Sequence, residues 1–526
     1  MTTLHARGGA ISTSHALATE AGADALRAGG NAIDAALAAA AALCVVYPNN
    51  VALGGDLVAL VRSPQGEIRF LNGTGTAPAA QSLEALREKH GERLPLRGID
   101  TVTVPGGVCG WNSLHEHGAL LPWTEHFNAA IRYAEQGFPN SRSVAAALID
   151  DRATLERDPG AAAVFYPGGE PIPEGGRLVQ PALARTLRRL AEGGSAEFYE
   201  GETADRWIAG LQRLGSKISK QDALDYSAYW GDPLEGGFAG LRVLTGPPNT
   251  SGFMLLRALN AVAGDAGAEG ASLGGIDDPL GAGAGELARA FYESNLVRLA
   301  ALADPAFGAA SGEELVAMPA PDRPVRGAAH RGRPSGDTVG LVAVSDDGWA
   351  VSLINSVYWG FGAHILEPET GIVFQNRGTS FSLDPASPDA FEPGKRPRHT
   401  LMPVMILDGD RPVFVPATMG GSAQPQIHAQ LLLRQLQGAT PHEATHAPRW
   451  MVDEVFGDEP ATVTAEEDVP SAALEAIRAA GFELKFVPPY TEDLGHSNVI
   501  RLGSAEGGPG YQAASDPRSD GSAIVL

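Results

Sequence analysis

The sequence feature that most constrains the fold is a segment without hydrophobic period that runs directly into two apolar strands. Residues 318–337 read MPAPDRPVRGAAHRGRPSGD, which is rich in Pro, Gly and Arg and predicts a solvated, flexible linker. TVGLVAV, SDDG and WAVSLIN follow, and predict a strand from Thr338 to Val344, a tight Asp-Gly turn and a second strand from Trp349 to Asn355. The fold must therefore contain a sheet strand that begins at Thr338, immediately after a flexible linker.

The rest of the chain predicts a mixed α and β fold. The first fifty residues predict one helix from about His15 to Ala28 and an alanine-rich helix that begins after Asn31 and ends before Pro48. Residues 264–286 are rich in Gly and Ala and predict a surface loop. No period of roughly 20–50 residues is present, which argues against a repeat architecture. Further predicted elements are strands at Leu57–Arg62, Ile68–Leu71, Pro403–Leu407, Pro412–Pro416 and the C-terminal SAIVL, and helices between Trp123 and Leu214 and from about Gln424.

Charge and cysteine content limit the partners. The 526 residues carry a formal net charge of −23, which disfavours nucleic acid and anionic lipid as partners. Two cysteines, Cys44 and Cys109, cannot build a disulfide framework and indicate buried thiols in a reducing compartment. The apolar stretch from Ala35 to Val46 is too short to span a bilayer, and no signal peptide is expected at the start. We expect a cytoplasmic protein without a membrane partner.

One metal motif matches by its letters alone. Residues 442–446 read HEATH and fit H-E-x-x-H, in which two histidines on one helix face bind zinc. That chemistry needs a long apolar helix, whereas Pro441 begins this helix and Pro448 follows it closely. We predict a short exposed helix and no metal site.

The remaining candidate for catalysis is Thr338. A threonine hydroxyl is a weak nucleophile unless a base lies beside it, and the α-amino group of an N-terminal threonine is such a base. A chain cut between Asp337 and Thr338 would create that amine, whose pKa is ordinarily about 7.7–8.0. Composition and pattern alone favour the alternative that Thr338 only begins a strand, since threonine is common there.

An oxyanion site has one candidate pair of backbone donors. Gly420 and Gly421 follow the second predicted strand pair and precede the helix at Gln424. Backbone N–H groups at a helix start stabilise a developing negative charge. A plain turn between strand and helix is an equally good interpretation of these glycines.

Several ordered motifs resemble those of the γ-glutamyltranspeptidase family of N-terminal nucleophile hydrolases. The opening SHALATEAGADALRAGGNAIDAALAAAAALCVVYP and the turn Leu53-Gly54-Gly55-Asp56 are similar to the family's start. TVGLVAVSDDGWAVSLINS resembles the start of its small subunit. The other matching segments, in the family's order, are TVTVPGGVCGW, LPW, GPPNTSGF, GIVFQNRG, PGKRPRHTLMP, MGGSAQPQ and HAPRW.

The resemblance implies a fold, a self-cleavage and a set of catalytic residues. It implies an α+β four-layer αββα sandwich, cut at Asp337–Thr338 into a large subunit (1–337) and a small subunit (338–526) that remain one globule. Thr338 would be nucleophile and base, Ser356 would bond its hydroxyl, and Gly420 and Gly421 would form the oxyanion hole. The resemblance implies no metal or organic cofactor, and it leaves open a single pair of subunits or a homodimer of pairs.

Departures from the family pattern fall on the residues that hold its substrate. Thr74 takes the place of an arginine that grips the glutamyl α-carboxylate, and Ser380 that of an aspartate that binds the α-amino group. His399-Thr400 replaces a Ser-Ser pair, and Tyr358 replaces an asparagine. Arg377 and Arg398 are new cations in the same segments, and we expect Arg377 in preference to Arg398 to hold a substrate carboxylate. Surface ion pairing is the alternative for both arginines.

The segments that carry these departures resemble those of a divergent cytoplasmic subgroup of the family, which includes oxamate amidohydrolases. The sequence therefore predicts a threonine amidohydrolase for a small carboxylate-bearing amide, with oxamate as one candidate. A genuine glutathione hydrolase or γ-glutamyltransferase, or a cephalosporin-type acylase, stays open as an alternative. So does a non-enzymatic relative, an unprocessed scaffold or binding protein.

Overall fold

Apolar strands, with side chains that point alternately to the two faces, build two large stacked sheets. The computed structural model describes residues 8–263, 278–322, 337–454, 460–503 and 510–526, and of Asp337 it describes the backbone only. The strands within these residues are β1 Gly9–Thr13, β2 Asp56–Arg62, β3 Ile68–Gly73, β4 Phe138–Pro139, β5 Arg177–Leu178, β6 Tyr229–Gly231, β7 Leu234–Phe238, β8 Leu241–Thr245, β9 Asp337–Ser345, β10 Ala350–Tyr358, β11 Leu366–Glu367, β12 Ile372–Val373, β13 Val404–Asp408, β14 Arg411–Met419, β15 Trp450–Val452, β16 Thr462–Glu466, β17 Glu483–Val487, β18 His496–Leu502, β19 Tyr511–Ser515 and β20 Ser522–Val525.

The helices surround these sheets. In the described parts of the chain they are α1 Ala16–Arg27, α2 Ala32–Val46, α3 Leu83–His90, α4 Gly107–Gly118, α5 Asn128–Gln136, α6 Arg142–Asp150, α7 Arg152–Leu155, α8 Pro159–Phe165, α9 Pro181–Gly193, α10 Ala196–Tyr199, α11 Glu202–Arg213, α12 Lys220–Asp225, α13 Phe253–Ala263, α14 Ala284–Ala301, α15 Gly312–Ala317, α16 Gln424–Leu436, α17 Pro441–His446 and α18 Ser471–Ala479.

Two large sheets hold most of the strands. One has the order β20-β1-β9-β10-β2-β3-β6, and the other has the order β19-β18-β14-β13-β8-β7. Each sheet combines strands from before and after Thr338, since β9 pairs with both β1 and β10, and β13 pairs with β8. The two halves of the chain are therefore interleaved within each sheet.

The period-2 alternation of the strands sorts their side chains into three cores. On β10, Val351 and Leu353 pack in the core under α1, α2 and neighbouring helices, while Ala350 and Ile354 pack in the core between the two sheets. On β14, Val415 likewise faces the core between the sheets. The outer face of the six-stranded sheet packs against α13, α14 and α16. The prediction of an αββα sandwich is confirmed, because four layers enclose three apolar interfaces.

Helix α2 is buried along its whole length, as expected of a helix that is apolar on every side. Asn31 caps it: the Asn31 side chain accepts from the backbone of Ile33, and Asp34 accepts from the Asn31 N–H in return. The small alanine side chains let α2 lie close against β9 and β10. Over the described residues, no helix is both long and apolar enough to cross a membrane.

Three local predictions need correction or fall outside the described residues. The predicted loop 264–286 is wrong at its end, because α14 begins at Ala284; its residues 264–277 lie outside the description. Gly285 in its first turn lets α14 pack closely against α18, since a Cβ there would come 2.4 Å from the Ala476 carbonyl oxygen. Residues 323–336 of the predicted linker also lie outside the description. Strand β9 begins at Asp337, one residue before the predicted start.

Gly340 on β9 marks the closest approach between the sheets. A Cβ at this position would lie 2.5 Å from the Thr418 backbone nitrogen and 2.7 Å from the Ala417 carbonyl carbon of β14. Backbone atoms in the middle of a sheet cannot move aside as a flexible side chain can. Gly340 therefore allows the two sheets to touch two residues from Thr338.

We expect Gly340→Ala to destabilise the fold by about 1–3 kcal/mol, the cost of overpacking a dense core. The thermal midpoint should fall by several degrees in differential scanning fluorimetry. Gly231→Ala in β6 is the matched control, because a Cβ there meets no atom within 4 Å. Equal midpoints for the two variants would contradict the close sheet contact.

Candidate active site

Thr338 lies at the start of β9, and its side chain is fixed by a neighbouring hydroxyl. Thr338 Oγ1 is 2.8 Å from Ser356 Oγ on β10, and Thr338 is only 1% exposed. The Tyr358 backbone N–H donates to the same Ser356 Oγ at 2.8 Å. Ser356 can therefore accept from Tyr358 and still donate its own hydrogen to Thr338 Oγ1.

A β-bulge produces this arrangement. Val339 pairs with Asn355 and Asp337 pairs with Tyr358, so Ser356 and Val357 together stand opposite Thr338. Bulges re-aim side chains at functional sites. Tyr358 ends the bulge with φ +82°, a left-handed conformation that a bulky residue adopts only when its surroundings hold it there.

Gly420 and Gly421 directly follow β14, the strand that contacts β9 across the interface between the two sheets. Ser352, which pairs with Val342, donates to the Pro416 carbonyl at 2.8 Å, and Gly340 abuts Thr418. These two contacts hold β14 against the seven-stranded sheet just before Gly420. Gly420 and Gly421 have φ +152° and +54°, conformations that glycine favours. The 3₁₀ turn Gly421–Ala423 leads into α16, as the predicted helix start required.

Asn50 contacts the nucleophile candidate from the loop after α2. The Asn50 amide nitrogen Nδ2 donates to the Thr338 carbonyl oxygen at 3.2 Å, and Asn50 is fully buried. The Val357 N–H donates to the Asn50 carbonyl at 3.1 Å and ties this loop to the bulge. The sequence interpretation missed Asn50. Its only signal is a pair of asparagines, Asn49-Asn50, within a long apolar stretch.

Arg377 packs beside the bulge and is completely buried. Its guanidinium carbon lies 3.8 Å from the centroid of the Tyr358 ring, a close cation–π contact. Nε and Nη2 both donate to the Arg398 carbonyl, at 3.0 and 2.5 Å, and Nη1 donates to Thr400 Oγ1 at 3.2 Å. Burial lowers the pKa of Arg377 to about 10, so the residue stays cationic at neutral pH. Two of its five N–H groups have no partner among the described residues.

Two further buried arginines lie near Arg377. The Arg398 Nε is 3.7 Å from Asp389 Oδ2, and Arg298 on α14 pairs with Glu454. Burial lowers the pKa of Arg398. Burial raises the pKa of Asp389 to about 7, against the opposing effect of Arg398. The positive charges of Arg298 and Arg398 both act on Arg377 and help to lower its pKa. Sequence patterns gave no reason to single out Arg298, which looks like any helix arginine.

His399 pairs with Asp56 beneath the bulge. His399 Nε2 is 3.1 Å from Asp56 Oδ2, and the Leu401 N–H donates to His399 Nδ1 at 3.4 Å. The proton of a neutral His399 therefore lies on Nε2 and points at Asp56. Burial raises the pKa of Asp56 to about 7, and burial holds the pKa of His399 well below its usual range. Asp56 also pairs with Ser356 between β2 and β10, so the His399–Asp56 pair lies beside the residue whose hydroxyl contacts Thr338.

The remaining predicted substrate positions fall in two places. Thr400 contacts Arg377 directly, whereas Ser380 ends the buried 3₁₀ turn that begins at Arg377. The Thr74 hydroxyl donates to Asn72 Oδ1 at 2.7 Å and accepts from Asn249 Nδ2 at 3.3 Å. Thr74 is therefore engaged with buried amides rather than aimed at the nucleophile.

The HEATH segment forms the predicted short helix. α17 spans Pro441–His446, and Glu443 Oε2 accepts from the Thr440 N–H at 2.8 Å in a capping box. That bond occupies the glutamate that the zinc mechanism would need as a base. In the part of the chain that the structure describes, no group of three His, Cys, Asp or Glu side chains could hold a metal ion.

The chain is similar in sequence to a protein family and to individual relatives over nearly its whole length. The profile of the family described as gamma-glutamyltranspeptidase matches residues 18–526. The glutathione hydrolase-like YwrD proenzyme of Bacillus subtilis is 33% identical over 97% of each chain. The oxamate amidohydrolase proenzyme of Klebsiella pneumoniae is 34% identical, also over 97% of each chain.

A solved structure shares the fold over the same extent. The cephalosporin acylase from Bacillus halodurans superposes with a TM-score of 0.86 at 31% identity. The match covers all of this chain and 97% of the acylase.

Proposed function

Because this chain belongs to the gamma-glutamyltranspeptidase family, we propose that it cuts itself at Asp337–Thr338 and then hydrolyses a small carboxylate-bearing amide with the freed Thr338. The chain is an amidohydrolase or acyltransferase of that family. The observation that carries the proposal is the buried Thr338 hydroxyl, 2.8 Å from Ser356 Oγ at the start of β9.

The first step is the self-cleavage. Thr338 Oγ attacks the Asp337 carbonyl carbon, the C–N bond breaks, and the Thr338 nitrogen takes the hydroxyl proton, which leaves an ester. Water then hydrolyses the ester to give the Asp337 carboxylate and an N-terminal Thr338. The YwrD and oxamate amidohydrolase relatives are both named proenzymes, which supports a cut precursor. Strand β9 lies between β1 and β10 in one sheet, so subunits 1–337 and 338–526 stay together after the cut.

The cut protein carries out acyl transfer. The Thr338 amine removes the proton from Thr338 Oγ as the oxygen bonds to the substrate carbonyl carbon. The carbonyl electron pair moves to its oxygen, where the N–H groups of Gly420 and Gly421 donate to it. When the pair returns, the C–N bond breaks and the departing nitrogen takes the proton from the Thr338 ammonium. Water, activated by the same amine, resolves the acyl-enzyme, and an acceptor amine in its place would give transfer.

Charge near the nucleophile favours an acidic acyl group. The Thr74 hydroxyl is held by Asn72 and Asn249, and threonine lacks the two-pronged grip of an arginine on a carboxylate. Arg377 supplies cationic N–H groups beside the bulge instead, and Arg398 and Arg298 reinforce the positive potential. The oxamate amidohydrolase relative supports a two-carbon acid amide as substrate.

A γ-glutamyl or cephalosporin-type acyl group is the second candidate. The YwrD relative is named glutathione hydrolase-like, and the acylase of known structure matches this whole chain.

We place the reaction in the cytoplasm, which the unpaired Cys44 and Cys109 support. One processed pair contains all the residues used here, and a homodimer of such pairs would leave the chemistry unchanged.

The cut enzyme should release ammonia from oxamate with a kcat/KM at least about tenfold above that for γ-glutamyl-p-nitroanilide, since a matched charge contact adds 1.4 kcal/mol or more of discrimination. Coupled ammonia detection and p-nitroaniline absorbance give the two rates. Thr338→Ala protein serves as the blank for both. Strong activity on the glutamyl compound alone would refute the small-acid proposal and favour the second candidate.

A further inference from the structure

We propose that Asn50 orients the freed α-amino group of Thr338, by accepting one of its N–H bonds on the side-chain oxygen Oδ1. The inference rests on the proposed self-cleavage, because the amine exists only after the cut. It gives Asn50 a positioning role in the reaction of Thr338.

Asn50 carries an unused hydrogen-bond acceptor, its side-chain oxygen Oδ1, beside Thr338. Asn50 is fully buried and its Nδ2 donates to the Thr338 carbonyl oxygen at 3.2 Å. Its Oδ1 is also buried, and no donor reaches it anywhere in the described residues. A buried acceptor without a partner costs about 1–3 kcal/mol, so it points to a donor that arrives later.

The extended backbone of Thr338 indicates that its own nitrogen is the donor that faces Asn50 Oδ1. In an extended residue the N–H and the C=O point to the same side, which is why two strands can exchange both bonds between one pair of residues. Thr338 lies in β9, and the Asn50 side-chain Nδ2 already donates to the Thr338 carbonyl oxygen. The Oδ1 end of the same amide therefore lies on the side toward which the Thr338 nitrogen directs its hydrogens.

Cleavage supplies the missing freedom. In the uncut chain the Thr338 nitrogen belongs to a planar peptide bond, which fixes its single hydrogen. Once the bond to Asp337 is broken, the nitrogen carries additional hydrogens and turns about the N–Cα bond. One N–H can then reach Asn50 Oδ1 while the lone pair of the nitrogen faces Thr338 Oγ1.

The surroundings hold Asn50 ready for this role. The Asn50 N–H donates to the Tyr47 carbonyl at 3.0 Å, and its carbonyl accepts from Val357 at 3.1 Å. Ser356 accepts from Tyr358, so its own hydrogen can go to Thr338 Oγ1. The Thr338 hydroxyl hydrogen is then left for the amine. Little further ordering of Asn50 is needed when the amine docks, because the asparagine is already held in place.

Two other asparagines offer rival acceptors and useful controls. The side-chain oxygens of Asn49 and Asn355 are also buried, and neither finds a donor within the described residues. Asn355 uses its Nδ2 on the Asp56 carbonyl at 2.7 Å, and the Asn49 carbonyl accepts from Phe361. Neither contacts Thr338 as Asn50 does. Asn49→Asp introduces the same charge one residue away and is the matched control.

The test measures the pKa of the Thr338 amine on the processed enzyme, without any substrate. The pH dependence of N-terminal acetylation by acetic anhydride, followed by mass spectrometry of the peptide that begins at Thr338, gives this pKa. A carboxylate at position 50 favours the ammonium, so Asn50→Asp should raise the amine pKa by about one unit and move the acidic limb of kcat/KM upward equally. Asn50→Ser should lower the amine pKa slightly and reduce kcat about tenfold. Other titratable groups on the elements around Thr338, which all variants retain, include Tyr47, Asp56, Tyr358, Arg377, His399, His496 and the Asp337 carboxylate that the cut creates.

The possible results separate this inference from the function on which it rests. A shift for Asn50→Asp and none for Asn49→Asp supports it, whether or not oxamate proves to be the substrate. Equal shifts for both variants, or a shift only for Asn355→Asp, overturn it. If Asn50→Asp and Asn50→Ser both stay uncut at a wild-type thermal midpoint, Asn50 acts in cleavage instead and the inference is also wrong. A wild-type chain that never cuts refutes the proposed function itself.

Discussion

Thr338→Ala should leave the protein as one 526-residue chain with no measurable amidase activity, a loss of roughly 10⁴-fold or more. The substitution removes the hydroxyl that attacks both the Asp337 carbonyl and the substrate. It also prevents formation of the amine that serves as base. Both catalytic groups are thus lost by one change, and Ser356 cannot replace them because it lies on the neighbouring strand β10.

A denaturing gel and N-terminal sequencing check this prediction. Wild type should give two bands, and the smaller should begin at Thr338. Thr338→Ser is the control, since serine keeps the hydroxyl and should still cut, although more slowly. Cleavage of Thr338→Ala at the same bond, or a wild type that stays whole after prolonged incubation, would contradict the assignment of the nucleophile.

Arg377→Ala should lower kcat/KM for oxamate by about 10²–10³-fold, which corresponds to about 3–4 kcal/mol. The guanidinium is buried, so a substrate carboxylate left without it would lose both its charge partner and its hydrogen bonds. The Tyr358 ring would also lose the cation that lies 3.8 Å from its centroid. Arg377→Lys should recover only part of the rate, because a lysine cannot donate to the Arg398 carbonyl and a carboxylate through one planar fork.

A neutral substrate separates recognition from structural damage. Oxamide has the same amide but no carboxylate, so Arg377→Ala should cost far less on oxamide than on oxamate. Steady-state rates of ammonia release on both compounds give the comparison. Equal losses on the two would mean that Arg377 only supports Tyr358 and the 398–400 segment, and would leave the carboxylate without an assigned partner.

Local pattern was sufficient for the elements around the site. The apolar runs TVGLVAV and WAVSLIN on either side of an Asp-Gly turn predicted β9 and β10, and Asn31 predicted the start of α2. Such signals concern residues within a few positions of each other, where backbone geometry fixes which side chains share a face. The resemblance to a known family added Ser356 as a candidate and favoured a catalytic role for Thr338, Gly420 and Gly421. The division into residues 1–337 and 338–526 stays a prediction.

Local pattern failed where a packing partner decides the structure. The Gly- and Ala-rich residues 264–286 predicted only a loop, yet α14 begins at Ala284 and packs closely against α18 at Gly285. Composition could not reveal this, since a small residue at a helix contact looks the same as a small residue in a loop.

The sequence by itself determined the strand that begins at Thr338, and its resemblance to a known family implied the two-sheet sandwich and the loss of the usual arginine at Thr74. Only the tertiary structure decided which groups surround Thr338. Asn50 meets Thr338 across 288 positions, and His399 meets Asp56 across 343. Periodicity is a property of neighbours along one element, whereas these contacts arise from the bulge in β10, the register of β9 against β14 and the burial of whole elements. The contacts made by Thr338 and its neighbours therefore depend on how the two halves of the chain interleave.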